Sequence, residues 1–302
     1  MSLANIGYFA YYRGIMAAAR FEVGASTDFM GAVWTDSMQF SRVVPTDEFP
    51  GITIAEIVGV GGKKRIAALA AGLREQKITP VQLHGATGYS GREPWYDAVK
   101  VRAIGVFLPH PEELKGDFPD LDHVIHAPAA IELLKKGAKR TPTLSRASRW
   151  LIENHDTGLG GITHAQAAAS HAQDRGIPAN VIVDIGHVTR RMTGKAFDAA
   201  WSAMTRYLER MTTKNSAIAG IHIPEGTFAD DSLPKTLTDA HRRDLVTSLG
   251  PSVQRVIFEY QRSQPHGLLH LFGREERRER ARMSRVFAAW AKAGLFSSGE
   301  VK

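Results

Sequence analysis

The chain has 302 residues, 43% hydrophobic and 23% charged, the balance of a folded globular protein long enough for one large barrel or two ordinary domains. It contains no Cys, which excludes disulfides, a thiolate metal site and a Cys nucleophile, and fits a reducing compartment. The formal net charge of +7 favours polyanionic partners such as nucleic acid or phosphorylated substrates, while no apolar run approaches the roughly 20 residues that cross a bilayer.

Arg13 and Arg20 precede the first acidic residue, Glu22, as in a transit peptide. Arg13 interrupts the apolar stretch, however, and no small-residue cleavage site follows cleanly, so the expected location is the cytoplasm, with no membrane partner. A first strand is expected at 6–11 or at 20–24. Further apolar or β-branched runs follow at 52–58, 80–84, 123–127, 150–154, 180–185, 217–223 and 255–260, each read as a strand. VIVDI and RVIFEY are apolar almost throughout, as parallel strands covered on both faces must be. Helical spacing of apolar residues marks 63–76, 163–175 and 196–211, and a last helix is expected at about 274–293. Gly176 and then Pro178 stop the second of these. The Pro- and acid-rich piece at 109–122 is expected as an insertion or long loop before the fourth strand.

Strands alternating with helices in this way predict an α/β fold, a (β/α)8 TIM barrel forming a single domain over 1–302 with its core at about 20–293. An open doubly wound sheet is the competitor, but GVGGKK at 59–64 lacks the spacing of either nucleotide-binding fingerprint. In GREERRERARMSR (273–285) the acids are interleaved with arginines. That segment reads as a solvated, ion-paired helix face, so the net charge lends little to nucleic-acid binding.

Nine residues of metal-ligand type sit near the ends of these runs: His84, His126, Glu153, Asp184, His187, His222, Asp239, His241 and Glu259. Side chains at the C-terminal ends of parallel barrel strands share one mouth, and mixed imidazoles and carboxylates there suit zinc, manganese or iron. Asp184, closing a buried apolar strand, is either a ligand or the cap of the next helix, with His187 beside it. Glu153 and Glu259 end their strands similarly and could bridge metals or act as a general acid/base pair, against the alternative of buried ion pairs. His222 is a ligand or a satisfied core histidine. His110 and His123 compete with His126 for its role, whereas His155, His164 and His171 are expected on loops and helix surfaces. Asp239 and His241 are equally well read through Thr236 to Asp239 as a capping box, with Asp239 capping a helix and His241 facing solvent.

Over residues 52–260 these motifs resemble the xylose isomerase-like TIM-barrel superfamily, which includes sugar isomerases and epimerases and the endonuclease IV nucleases. Glu153-Asn154 followed by Gly158-Leu159-Gly160 is similar to the nucleases' ENxxGxG segment with one residue inserted. Asp184 with His187 is shared by both branches, and His222 and Glu259 match the histidine of strand seven and the closing glutamate. The isomerase branch implies one metal on Glu153, Asp184, His222 and Glu259. The nuclease branch implies a trinuclear zinc site that adds His84, His126, His187, Asp239 and His241. HIPEG after strand seven and HGATGYS after His84 depart from the nuclease pattern. HGATGYS with the later Asp-x-His is similar to the multinuclear non-haem iron oxidases, whose strand six carries Asn where this chain has His187.

The leading expectation is thus endonuclease IV-like phosphodiester hydrolysis at abasic sites in DNA, with two or three divalent ions per chain, zinc foremost and manganese or iron as alternatives. Glu153, Glu259 and His187 would be the catalytic residues. The rival is a metal-dependent sugar or sugar-phosphate isomerase or epimerase in which Glu153 and Glu259 move protons through an enediolate. The oxidase is third, and a non-catalytic metal- or sugar-binding barrel is the last alternative.

Overall fold

The computed structural model describes residues 21–26, 52–58, 63–84, 121–136, 149–213, 216–225, 233–234, 236–259 and 284–295. Eight parallel strands close into a barrel in chain order. They are β1 (Glu22–Ser26), β2 (Ile54–Val58), β3 (Thr79–His84), β4 (Asp122–His126), β5 (Trp150–Glu153), β6 (Ala179–Asp184), β7 (Ile218–Ile223) and β8 (Arg255–Phe258). Closure is direct, since β8 pairs with β1 from Glu22↔Arg255 to Ala25↔Phe258. Of the two expected first strands, the later one forms, displaced by two residues. The rival at 6–11, His110, residues 59–62 of GVGGKK, residues 109–120 of the expected insertion and residues 274–283 of the last helix lie outside the described residues.

Helices follow the strands: α1 (Lys63–Glu75), α2 (Ala127–Lys136), α3 (Leu159–Asp174), the short α4 (Ile185–Thr189), α5 (Gly194–Met211) and α6 (Asp239–Ser248), with α7 at 284–292. On α5, Phe197, Trp201, Met204, Thr205 and Leu208 are buried, a stripe at three- and four-residue spacing that faces the barrel. Apart from Ile162, the buried face of α3 is small, with Gly161, Ala165, Ala168, Ala169 and Ala172, so this helix lies close on the strands. It ends where Gly176, at φ +76, donates to Gln173 O and Ile177 to Ala172 O. That Schellman turn needs the left-handed conformation glycine adopts without strain. Among the described residues no helix is long and apolar enough to cross a membrane.

Successive residues of a strand point to opposite faces, so every second residue of each strand enters the barrel interior, and the interior is layered. At the N-terminal end Arg255 of β8 binds Asp122 of β4 at 2.6 Å, and Arg149 reaches the same carboxylate oxygen at 2.7 Å. Two residues further along, Val124, Leu151 and Ile182 pack with Ala219 as an apolar floor. Two residues beyond these come His126, Glu153 and Asp184, at the C-terminal mouth. Two bulges tune the register. Ala55↔Pro80 is followed by Glu56↔Gln82, leaving Val81 over on β3, and Val181↔Ile218 by Ile182↔Gly220, leaving Ala219 over on β7. The second bulge brings His222 level with Asp184, where a one-residue slip would turn it to the outer face.

Candidate metal centre at the barrel mouth

His84, His126, Glu153 and Asp184 are the last residues of β3, β4, β5 and β6. His222 is the penultimate residue of β7 and Glu259 immediately follows β8. These strand ends converge. The donor atoms of Glu153, Asp184, His222 and Glu259 lie within 4.8 Å of one another, and all four residues are buried. His222 Nδ1 lies 3.0 Å from Glu259 Oε1 and 3.4 Å from Glu153 Oε1. His84 spans the same two glutamates, with Nδ1 3.0 Å from Glu259 Oε1 and Nε2 3.1 Å from Glu153 Oε2. His126 Nε2 is also 3.1 Å from Glu153 Oε2.

Several of these contacts have hydrogen-bond length without hydrogen-bond direction. Both Glu153 oxygens, His84 Nε2 and His222 Nδ1 are buried with no hydrogen-bond partner among the described residues, although imidazole nitrogens lie at ion-pair distance from the carboxylate oxygens. Buried polar atoms left this way are costly. Donors that crowd together yet do not aim at each other are the arrangement a shared cation satisfies, and the mixture of carboxylate and imidazole suits a divalent first-row metal.

Asp184 has one oxygen for each of two jobs. Its Oδ1 accepts from Gly186 N at 2.6 Å and His187 N at 3.0 Å, capping α4. Its Oδ2 lies on the side of His187 Nδ1, 3.8 Å away. Capping and ligation, alternatives in the sequence, are compatible because a carboxylate has two oxygens. Asn154 locks β5 to β6, accepting from Asp184 N at 2.8 Å and donating to Asp184 O at 3.0 Å. Its own carbonyl accepts from His187 Nδ1 at 2.6 Å.

Three contributors were not among the expected site residues. Glu56, in the middle of β2 and fully buried, lies 3.3 Å from His222 Nε2 through Oε2, which also accepts from Gln82 Nε2 at 2.7 Å. A carboxylate inside IAEIV and an amide inside VQLH were visible signals, since each interrupts an apolar strand, but neither stands at a strand end. His155, expected on a loop, is on the loop after β5, yet it groups with His126 and His187.

Asp239 and His241 stand apart from this cluster, in none of the metal-ligand groups among the described residues. They begin α6. The Thr238 side chain accepts from His241 N, and His241 Nδ1 accepts from Thr238 N, both at 3.2 Å. The box therefore runs from Thr238 to His241 rather than from Thr236 to Asp239. His241 Nε2 faces Asp198 at 3.4 Å. Asp239 gives one oxygen to Arg242 at 3.2 Å and the other to Lys292 at 3.0 Å, so every ligand atom of the pair is committed elsewhere. Glu225, the acid of HIPEG, is likewise taken, by Arg242 at 2.5 Å and by the Trp290 indole N–H.

The electrostatics follow from these contacts. Burial alone would raise the Glu153 carboxyl, but His126 and His84 outweigh it and hold it well below the usual range. Glu56 is held low in the same way by His222 and His84. Burial would lower His84 and His222, yet Glu153 and Glu56 around the first, and Glu259 and Glu56 around the second, raise both well above an ordinary imidazole. Asp184 is pushed up to about 8, by burial first, with Glu259 and Glu153 adding to it against His187. Burial, with His126, His187 and Arg190, pushes His155 down to about 4. Protons thus occupy positions at which a cation would otherwise supply the positive charge.

No protein-family model matches the chain, and no curated protein does. Among solved structures the barrel aligns with 3-keto-D-glucoside 4-epimerase from E. coli at TM-score 0.46 and 12% identity, over 88% of this chain and 99% of that one. It aligns with D-psicose 3-epimerase from Clostridium cellulolyticum H10 at TM-score 0.47 and 10% identity, over 91% and 100%. A D-psicose 3-epimerase structure determined with D-fructose gives TM-score 0.48 and 10% identity, over 91% and 99%. All three of these neighbours are epimerases.

Proposed function

We propose that this barrel is a divalent-metal-dependent isomerase or epimerase acting on a sugar or sugar phosphate. One observation carries the reading: Glu153 and Glu259 flank His222 in a buried four-ligand set with Asp184, while Asp239 and His241 are spent on the start of α6. The nuclease reading needs those two side chains for its third ion. The isomerase reading needs neither.

Glu153, Asp184, His222 and Glu259 would hold the ion, which when bound supplies a Lewis acid that polarises a substrate carbonyl and its neighbouring hydroxyl. Asp184, fixed by its cap, and His222, fixed from behind by Glu56, are the rigid members. Glu153 and Glu259 would do the acid/base work, one removing the proton from the carbon next to the carbonyl and the other returning a proton to the enediolate. His84, within 3.1 Å of Glu153 and 3.0 Å of Glu259, joins the two carboxylates and would pass a proton between them, resetting them after each turnover. The apolar floor of Val124, Leu151 and Ile182 keeps water from reaching the carbanion from below.

The test is solvent exchange. Manganese-loaded protein is incubated in D2O with a panel of ketoses, aldoses and their phosphates, and deuterium at the carbon next to the carbonyl is followed by NMR. Exchange with at least one member, lost in Glu259→Gln, is expected. Absence of exchange across the panel, together with incision of abasic duplex DNA, would transfer the assignment to the nuclease branch.

A further inference from the structure

We propose that His126, His155 and His187 form a second metal site, for a first-row divalent cation that favours nitrogen donors, zinc foremost. Their donor atoms lie within 4.8 Å of one another. Their ring centroids make a compact triangle, 4.8 Å from His126 to His155, 5.5 Å from His126 to His187 and 5.4 Å from His155 to His187. The three rings come from separate elements: the end of β4, the loop after β5, and α4. This set differs from the third site expected of His187, Asp239 and His241, with His155 present where that pair is missing.

Each ring is held. The His187 Nδ1 proton is given to Asn154 O at 2.6 Å, so that ring carries its lone pair on Nε2, the tautomer a metal takes when a carbonyl supports the other nitrogen. The loop bearing His155 is pinned at both ends, by Asn154 to Asp184 and by Gly158 N donating to Val188 O at 3.0 Å. Gly158 has φ +75, a turn that would strain any side chain. His155 Nδ1 is buried without a hydrogen-bond partner among the described residues, an unexplained cost that a metal ligand removes.

His126 also groups with His84 and Glu153, but both nitrogens of His84 already face carboxylates of the central set. His155 faces none. Three imidazoles favour zinc over manganese, whereas three carboxylates and one imidazole in the central set accept manganese readily. Three protein ligands also leave a coordination position open, as in catalytic rather than structural zinc sites. The second site requires nothing of the reaction proposed for the first.

Chelator-stripped protein is reloaded with zinc or manganese and its metal measured by atomic emission, with far-UV circular dichroism on every variant. The wild type should hold about two zinc ions but about one manganese ion per chain. His155→Gln should lose one zinc and keep its manganese, and His155→Asp, which restores a ligand, should regain the zinc. Zinc content unchanged in His155→Gln, or about one zinc in the wild type, overturns the second site. The central reading fails separately, if Asp184→Asn keeps its manganese.

Discussion

Glu56 touches both nitrogen-rich and amide neighbours from the middle of a strand, and its effect on the site runs through His222. With Nε2 of His222 against Glu56 at 3.3 Å and Nδ1 turned toward Glu153 and Glu259, the imidazole has the carboxylate–histidine arrangement that orients a ligand and raises its basicity. Glu56→Gln is expected to weaken manganese binding about 10- to 100-fold while leaving the saturating stoichiometry unchanged. Calorimetric titration reads both quantities, and a lost equivalent of metal would show Glu56 to be a ligand instead. At this scale the sequence was legible wherever a polar residue closed an apolar run, as at Glu153 and Asp184. It was not legible for His155. Residue 155 lies beyond the end of β5, where strand alternation no longer sets direction, and only the path of the following loop brings its ring beside His126 and His187.

The elements themselves were readable, because seven of the expected strands meet their observed ranges within two residues at either end. Each is an apolar run bounded by polar or turn residues. The bulges at Val81 and Ala219 were hidden, since a bulge depends on the neighbouring strand's register and leaves no composition signal. The start of α6 was ambiguous for a different reason: Asp-x-His satisfies a helix N-terminus as well as it satisfies a metal. The capping geometry predicts that His241→Ala costs stability and no metal. Thermal and urea melts should show a loss of at most about 1 kcal/mol, the usual worth of the N-cap residue that His241 backs up as its capping-box partner, with unchanged zinc and manganese content. A variant that sheds an ion without loss of stability would reverse that assignment.

For the molecule as a whole, the mouth concentrates Glu56, Glu153, Asp184 and Glu259 with His84 and His222 in buried positions, and the opposite end is closed by the Asp122–Arg255 pair. With no metal bound, His84 and His222 are raised and Asp184 is pushed up to about 8, so all three carry protons at pH 7. Ligand atoms must shed theirs, so metal binding should release protons and affinity should rise with pH, the part due to Asp184 levelling off above about 8. Titrations at pH 7 in buffers of differing ionisation enthalpy are expected to show release of about two protons on loading the central site; identical heats in all buffers would contradict this charge distribution. The central claim, that a divalent cation sits among Glu153, Asp184, His222 and Glu259, is tested most directly by anomalous diffraction from manganese-loaded crystals. The account predicts a peak at bonding distance from all four residues, and a peak at Asp239 and His241 with none among the four would contradict it.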